Sequence, residues 1–274
     1  MEPWEGATPD LTDPATVALY DEWPLWSAPF GLALLEAVEL RPGMTVLDVG
    51  CGTGFPLLEL AERLGPGARL YGVDPWAPAM ERLRKKVAAW SLERSVELHV
   101  TTIESLALSP ASIDLVVSNN GLNNVPDLPG ALEVCARLSR PRAQLVFTAN
   151  LPGTMAGFYD ALGRALDEAG VEDGGRRIAE HIHARRRPVE ELVELTRAAG
   201  FEVKDAAIHG FRWRFSSPEA LFRHHFIRLG FLEAWRAVVP EDVRTEVFRA
   251  VSGMLDADAL QLEIPFTCIH ANRR

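Results

Sequence analysis

The stretch Val46-Leu47-Asp48-Val49-Gly50-Cys51-Gly52-Thr53-Gly54-Phe55-Pro56 runs an apolar segment into three alternate glycines and then into a helical pattern. Glycine lets a backbone turn tightly and approach a ligand without a Cβ in the way. An apolar strand that turns in this manner into a helix opens an α/β sheet, and such sheets bind ligands at the carboxyl ends of their strands. A glycine triplet alone also fits any tight turn. Here Asp74 closes the next apolar run, where a carboxylate can accept hydrogen bonds from both hydroxyls of a ribose. Dinucleotide enzymes use G-x-G-x-x-G, but Phe55 holds the place of the third glycine and glycine falls at Gly54 instead. An NAD-dependent oxidoreductase is therefore the second choice.

From about Leu34 to Ala149, short β-branched runs alternate with helical stretches, the pattern of parallel strands joined by crossover helices. The strands read as 45–49, 70–74, 96–100, 113–118 and 143–149, with a long strand from Phe201 to about Phe215 and a last one over 261–270. Leu57, Leu60, Ala61 and Leu64 recur at i, i+3, i+4, i+7, a stripe that covers one sheet face. Segments 75–90, 130–138 and 189–200 read as helices too. Ser217-Pro218-Glu219 is a helix start, with an N-cap, a proline at the first helical position and an early acid. The layout is a single domain: an N-terminal arm and helix over 1–33, a core over 34–151, helical insertions at 152–187 and 216–258, and the remaining sheet elements at 188–215 and 259–274. The first dozen residues read as a loose arm.

The net charge of −10 repels a phosphate backbone at long range, so nucleic acid is not the expected partner. Arg185-Arg186-Arg187 reads as a solvated loop. With 47% hydrophobic and 24% charged residues the chain has a globular balance. The N-terminus lacks the basic start and apolar stretch of a signal peptide, and no uncharged run approaches the ~20 residues of a membrane span. A cytoplasmic protein without a membrane partner is expected. Cys51, Cys135 and Cys268 are far apart and form no CxxC pair, so reduced structural thiols and no metal site are expected.

Asp48-Val49-Gly50-Cys51-Gly52-Thr53-Gly54 resembles the first motif of class I methyltransferases dependent on S-adenosylmethionine (SAM), and the similarity extends through about Ala149. The resemblance implies a Rossmann-like α/β sheet of seven strands, the last antiparallel, with helices on both faces and helical lid insertions. It implies SAM as cofactor, with the glycine loop Gly50, Gly52 and Gly54 under the methionyl part, Asp48 near its amino group and Asp74 on the ribose. Many relatives place an aspartate against the adenine amino group and a backbone amide against the ring. The matching pair is Thr102-Ile103, so the aspartate is missing. Ser118 to Asp127, with Asn119 first among its asparagines, is similar to the region that lines the transferred methyl, and Gly121-Leu122-Asn123-Asn124-Val125 resembles quinone-biosynthesis methyltransferases. The same run also suits an Asn-rich turn. No NPPY-type tetrapeptide follows, which counts against adenine or glutamine N-methylation. Tyr20-Asp21-Glu22-Trp23-Pro24-Leu25-Trp26 resembles the N-terminal region that closes over SAM in relatives with a Tyr-Asp pair.

Methyl transfer from a sulfonium is an in-line displacement, and phenols, thiols and activated carbons need a proton removed whereas tertiary amines do not. His209 is the candidate base, on the same alternate face of its strand as Phe211, Trp213 and Phe215. A histidine satisfied at the sheet edge fits that position equally. His225 shares a stripe with Phe222 and Leu229 and reads as core, while His181 and His183 read as surface without a third metal ligand. The aromatic-rich later segments point to a small apolar or aromatic acceptor. Both insertions are expected to cover the carboxyl ends of the strands. A SAM-binding module without catalysis is the third reading, since fold does not fix function.

Overall fold

The computed structural model describes every residue except Met1, Trp23 and Pro24. Apolar β-branched runs form seven strands: β1 (Thr45–Val49), β2 (Arg69–Val73), β3 (Val96–His99), β4 (Ile113–Asn119), β5 (Ser139–Asn150), β6 (Phe201–Arg214) and β7 (Gln261–Arg273). They make one sheet in the order β3-β2-β1-β4-β5-β7-β6. The first five are parallel, with Val46 facing Leu70 of β2 on one side and Leu115 of β4 on the other. β7 runs antiparallel to β5, pairing Asn150 with Phe266. This is the Rossmann-like class I arrangement that the resemblance implied.

The helices before β5 are α1 (Pro14–Glu22), α2 (Ser27–Ala37), α3 (Leu57–Leu64), α4 (Ala77–Ala89) and α5 (Leu128–Leu138). Later come α6 (Ala156–Glu168), α7 (Gly174–His183), α8 (Val189–Ala198), α9 (Pro218–Arg223), α10 (His225–Gly230), α11 (Leu232–Val238) and α12 (Arg244–Met254). Period-2 alternation sorts β1 between two cores. Leu47 and Val49 join Leu132, Leu145, Phe147 and Phe201 on one face. Val46 joins Leu57, Leu60, Met80, Leu83 and Val117 on the other. Of the apolar stripe of α3, Leu57, Leu60 and Ala61 are buried and Leu64 is half-buried against the same core.

Two units emerge. The sheet unit comprises residues 11–150, 188–209 and 266–274; the helical unit comprises the segment ending at Asp10 with 151–187 and 210–265. Both insertions are helical. Among the described residues, no helix is long and apolar enough to cross a membrane, and no group of three or more His, Cys, Asp or Glu is placed to hold a metal.

Four readings of the sequence change. β5 starts at Ser139 rather than Ala143: Pro141 cannot donate to a ladder, and the pairing shifts between Ile113 and Leu115, with Arg142 at φ 65° absorbing the irregularity. The first residues of the chain are anchored rather than loose. Trp4 is buried edge-on to Phe222 at 5.6 Å and stacks on Phe248 at 6.3 Å, and Arg236 Nε donates to its carbonyl at 3.0 Å. The helix around His225 breaks where His224 turns extended, so Phe222 and His225 lie on separate helices. Within the arginine run Arg185 is exposed but Arg186 is buried, and of the two histidines His183 is exposed while His181 is half-buried, its Nε2 2.9 Å from the Tyr159 hydroxyl.

Candidate functional site

The three glycines after β1 have different tasks. Gly50 (φ 74°) donates to the carbonyl of Val73 at 2.8 Å, and a Cβ on it would lie 2.5 Å from Cα of Gly121. Gly121 is as tight, since its Cβ would meet the carbonyl of Val49 at 2.2 Å. This pair seats the loop after β4 directly on the loop after β1. Gly54 packs on Leu83 and Leu58 of the core. Only Gly52 (φ 49°) faces open space, with nothing within 4 Å of a Cβ. Of the sequence-predicted triplet, one glycine leaves room for a ligand and two hold the loop in shape.

Asp74, at the end of β2, fastens that loop. Its Oδ2 accepts the Gly52 amide at 2.9 Å and its Oδ1 accepts the Trp76 amide at 2.8 Å. Each carboxylate oxygen retains a free lone pair for a ligand hydroxyl. Asp48 lies buried at the end of β1 with no hydrogen-bond partner on either oxygen. Burial, reinforced by the charge of Asp74, pushes its carboxyl up to about 8, and the Leu57 amide at the start of α3 offsets this in part without a well-formed hydrogen bond. A group that brought positive charge to Asp48 would restore its ionisation.

The N-terminal helix reaches the same place. Asp21 of α1 accepts from Arg82 Nε at 2.9 Å and Lys86 Nζ at 2.7 Å, both on α4. Burial works against ionisation, but the Lys86 and Arg82 hydrogen bonds, with help from the Thr53 hydroxyl of the glycine loop, hold its carboxyl below the usual value. Tyr20 stands edge-on to Trp76 at 5.2 Å, and burial followed by the charges of Asp74 and Asp21 raises its phenol above the usual value. Trp76 Nε1 donates to the carbonyl of Leu11 at 2.9 Å. Trp23 and Pro24 of the expected closing segment lie outside the described residues.

After β4, Ser118 Oγ donates to the Val49 carbonyl at 2.7 Å and accepts the Leu122 amide at 2.8 Å. Asn119 donates to the Ser27 carbonyl and accepts from Thr148 Oγ1, both at 3.1 Å. Asn123 donates to Asn150, and Asn124 to the carbonyl of Asn120 at 3.0 Å. The exception is Asn120, which sits at φ 60° with both amide atoms buried and without a protein partner. An unpaired buried amide in a left-handed conformation marks a place where a ligand can supply the missing bonds. Sequence reasoning did not single it out, although the Asn-Asn-Gly run signals such a backbone.

The structure brings Gly52, Asp74, Tyr20 and Asp48 together, with Asn119 joined to them through the Gly50–Gly121 approach. Other predicted residues stand apart. Thr102 is exposed and its hydroxyl reaches Ser105 Oγ at 3.5 Å, while Ile103 is buried in the core. His209 is exposed on the edge strand β6, stacked on Phe266 at 5.2 Å. Three strand spacings separate β6 from β4, roughly 14 Å.

Residues 47–147 match the family described as Methyltransferase domain. The chain is 31% identical over 190 residues to a ubiquinone biosynthesis O-methyltransferase of Methylocella silvestris, covering 58% of this chain and 71% of that protein. It is 34% identical over 124 residues to the nocamycin O-methyltransferase of Saccharothrix syringae, covering 45% of this chain and spanning only 44% of that relative. Among solved structures, a geranyl diphosphate methyltransferase in complex with SAM aligns over 90% of this chain and 85% of its own, with a TM-score of 0.56 at 13% identity. The [4+2]-cyclase SpnF aligns over 89% and 80%, with a TM-score of 0.57 at 17% identity. At these identities the two structures speak for the fold alone.

Proposed function

The chain belongs to the class I SAM-dependent methyltransferases, and from that premise we propose that it methylates a small apolar or aromatic acceptor, using the cradle around Gly52, Asp74 and Asp48 to hold the cofactor. The observation that carries the proposal is the pairing of open space at Gly52 with a buried carboxylate, Asp48, that lacks a partner. The residues fit the cofactor. Asp74 has lone pairs for two ribose hydroxyls, Asp48 suits an ammonium group, and Tyr20 with Trp76 supplies aromatic surface beside Asp74. When bound, SAM supplies a sulfonium-activated methyl group.

The chain's own contribution is positional. Asp21, clamped to α4, fixes Tyr20 beside Asp74, while Ser118 and the Gly50–Gly121 approach fix the loop that presents Asn120. We assign to Asn120 a contact with cofactor or acceptor, because its amide can both donate and accept. Thr102 and the backbone of Ile103 remain the proposed adenine contacts, whereas the exposure of His209 on β6, three strands from β4, argues against it as the base. The acceptor class rests on two agreements: Gly121 to Val125 resembles quinone-biosynthesis enzymes, and relatives bear the names ubiquinone biosynthesis O-methyltransferase and demethylmenaquinone methyltransferase.

Calorimetric titration with S-adenosylhomocysteine, SAM and NAD tests the cofactor half. Binding of the first two and not of NAD is expected, and the reverse would overturn it. Release of S-adenosylhomocysteine in the presence of small phenols, hydroquinones and aliphatic amines tests the acceptor half. Turnover confined to the amines would sink the apolar or aromatic assignment, and binding without any turnover would favour a non-catalytic module.

A further inference from the structure

The helical unit holds a charge cluster that the methyltransferase reading does not use. Arg186, which follows α7, is only 2% exposed. Its one hydrogen bond leaves from Nη1 to the hydroxyl of Tyr159 at 3.2 Å, and the guanidinium carbon lies 5.3 Å from the centre of the Tyr159 ring. Nε is buried and has no partner. Among the described residues, no carboxylate lies within ion-pair distance of it. The Tyr159 hydroxyl also accepts from Trp235 Nε1 at 3.1 Å and lies 2.9 Å from His181 Nε2. A second cation stands close, with Arg185 Nη1 at 3.3 Å from His181 Nδ1.

A buried guanidinium is costly unless an anion pairs with it and its donors are filled. Here the neighbours are a phenol, an indole, an imidazole and another arginine, none of which supplies negative charge. The donor left open, Nε, belongs to the Nε–Nη2 edge, whose two parallel N–H groups match the two oxygens of a carboxylate. The rings packed about the Tyr159 hydroxyl are apolar: Phe158 stacks on Trp235 at 3.8 Å, and Phe231 lies 5.7 Å from the same indole. We propose that Arg186 anchors a second binding site, in the helical unit, for a small organic carboxylate with an apolar or aromatic body. The assignment does not rest on the cofactor reading, because none of its residues belongs to the SAM cradle.

Benzoate added to the full chain without SAM tests it, read by thermal unfolding and by the Trp235 indole N–H resonance. That proton is hydrogen-bonded to the same Tyr159 oxygen as Arg186, so an anion on Arg186 shifts it. At roughly ten times Kd, benzoate should raise the unfolding temperature of the wild type by about 2–4 °C. Arg186→Met should lose the rise and the resonance shift, and it should be at least as stable as the wild type without benzoate, because a buried unpaired charge has been removed. Arg186→Lys keeps the charge but not the fork, and should show a smaller rise. An equal benzoate response in either variant, or none in the wild type, would overturn the site. An Arg186-dependent response to inorganic phosphate but not to benzoate would overturn the carboxylate assignment.

Discussion

A side chain added at Gly52 would enter open space, whereas one at Gly50 would strike the backbone of Gly121 and one at Gly54 would strike Leu83. The three positions therefore separate ligand binding from folding. Gly52→Val should keep the circular dichroism of the wild type, at a strain of about 1–2 kcal/mol for a left-handed residue, and abolish SAM binding. Gly50→Ala should instead prevent correct folding. Full methyl transfer by Gly52→Val would show that the loop is only a turn. Asp74→Ala removes the ribose acceptor and also frees the Gly52 and Trp76 amides. It should weaken SAM binding by about 2–3 kcal/mol, as hydrogen bonds to charged groups do, and lower the unfolding temperature of the free protein. An unchanged Kd by calorimetry would remove Asp74 from the site. At His209, exposure and distance set a different expectation from the base proposed on strand periodicity. His209→Gln should leave kcat within about threefold, and a loss of about a hundredfold or more would restore the base.

Elements that depend on local pattern were readable from the chain. The β1 to α3 passage, the acid after β2 and the helix start at Ser217 all carry their signals within a few residues, and Ser217 Oγ does accept the Ala220 amide at 3.1 Å. Elements decided by distant partners were not. The strand read from 143 begins at Ser139, because β4 pairs with β5 on both sides of Pro141; Trp4 and Arg186 looked like surface segments until rings from α6, α9 and α12 covered them. In the site, glycines and acids showed themselves through spacing, whereas Asn120 became distinctive only once its amide proved unpaired. The role of α1 is also a long-range matter, since its attachment passes through Asp21 to residues 61 and 65 positions away. Asp21→Ala should release α1 from α4, costing about 1.5–3 kcal/mol for a hydrogen-bonded charge, discounted because Arg82 and Lys86 are partly exposed. The Kd for SAM should rise because Tyr20 loses its anchor. Loss of stability with unchanged SAM affinity would confine α1 to a packing role.

Across the whole molecule, the two units carry buried or half-buried groups whose titrations pull in opposite directions. In the sheet unit, Asp48 keeps its proton to about pH 8 when folded, against 3.8 otherwise, chiefly because it is buried and secondly because Asp74 is charged. Between those values the folded state holds a proton that the unfolded chain has lost. The stabilisation is therefore complete below about pH 4 and disappears as pH rises toward 8. In the helical unit, burial and then the charges of Arg185 and Arg186 lower His181 from 6.5 to about 4, and His224 moves the same way through burial and then His225. There the unfolded chain takes up protons first, so stability is complete above about pH 6.5 and is lost as pH falls toward 4. Asp21 acts below 3.8, Tyr20 above 10, and the three buried cysteines above 9, all outside this window. Hydrogen exchange corrected for intrinsic rates should then show protection in β1 and β4 falling from pH 5 to pH 8 while protection in α6 and α7 rises. Asp48→Asn should flatten the first trend and leave the second. S-adenosylhomocysteine should also flatten the first, because an ammonium group beside Asp48 lowers its pKa and removes the difference between folded and unfolded states. Protection in β1 that stays constant to pH 8 without ligand would mean that Asp48 is already ionised in the fold, and the partner for its charge would have to be sought within the protein.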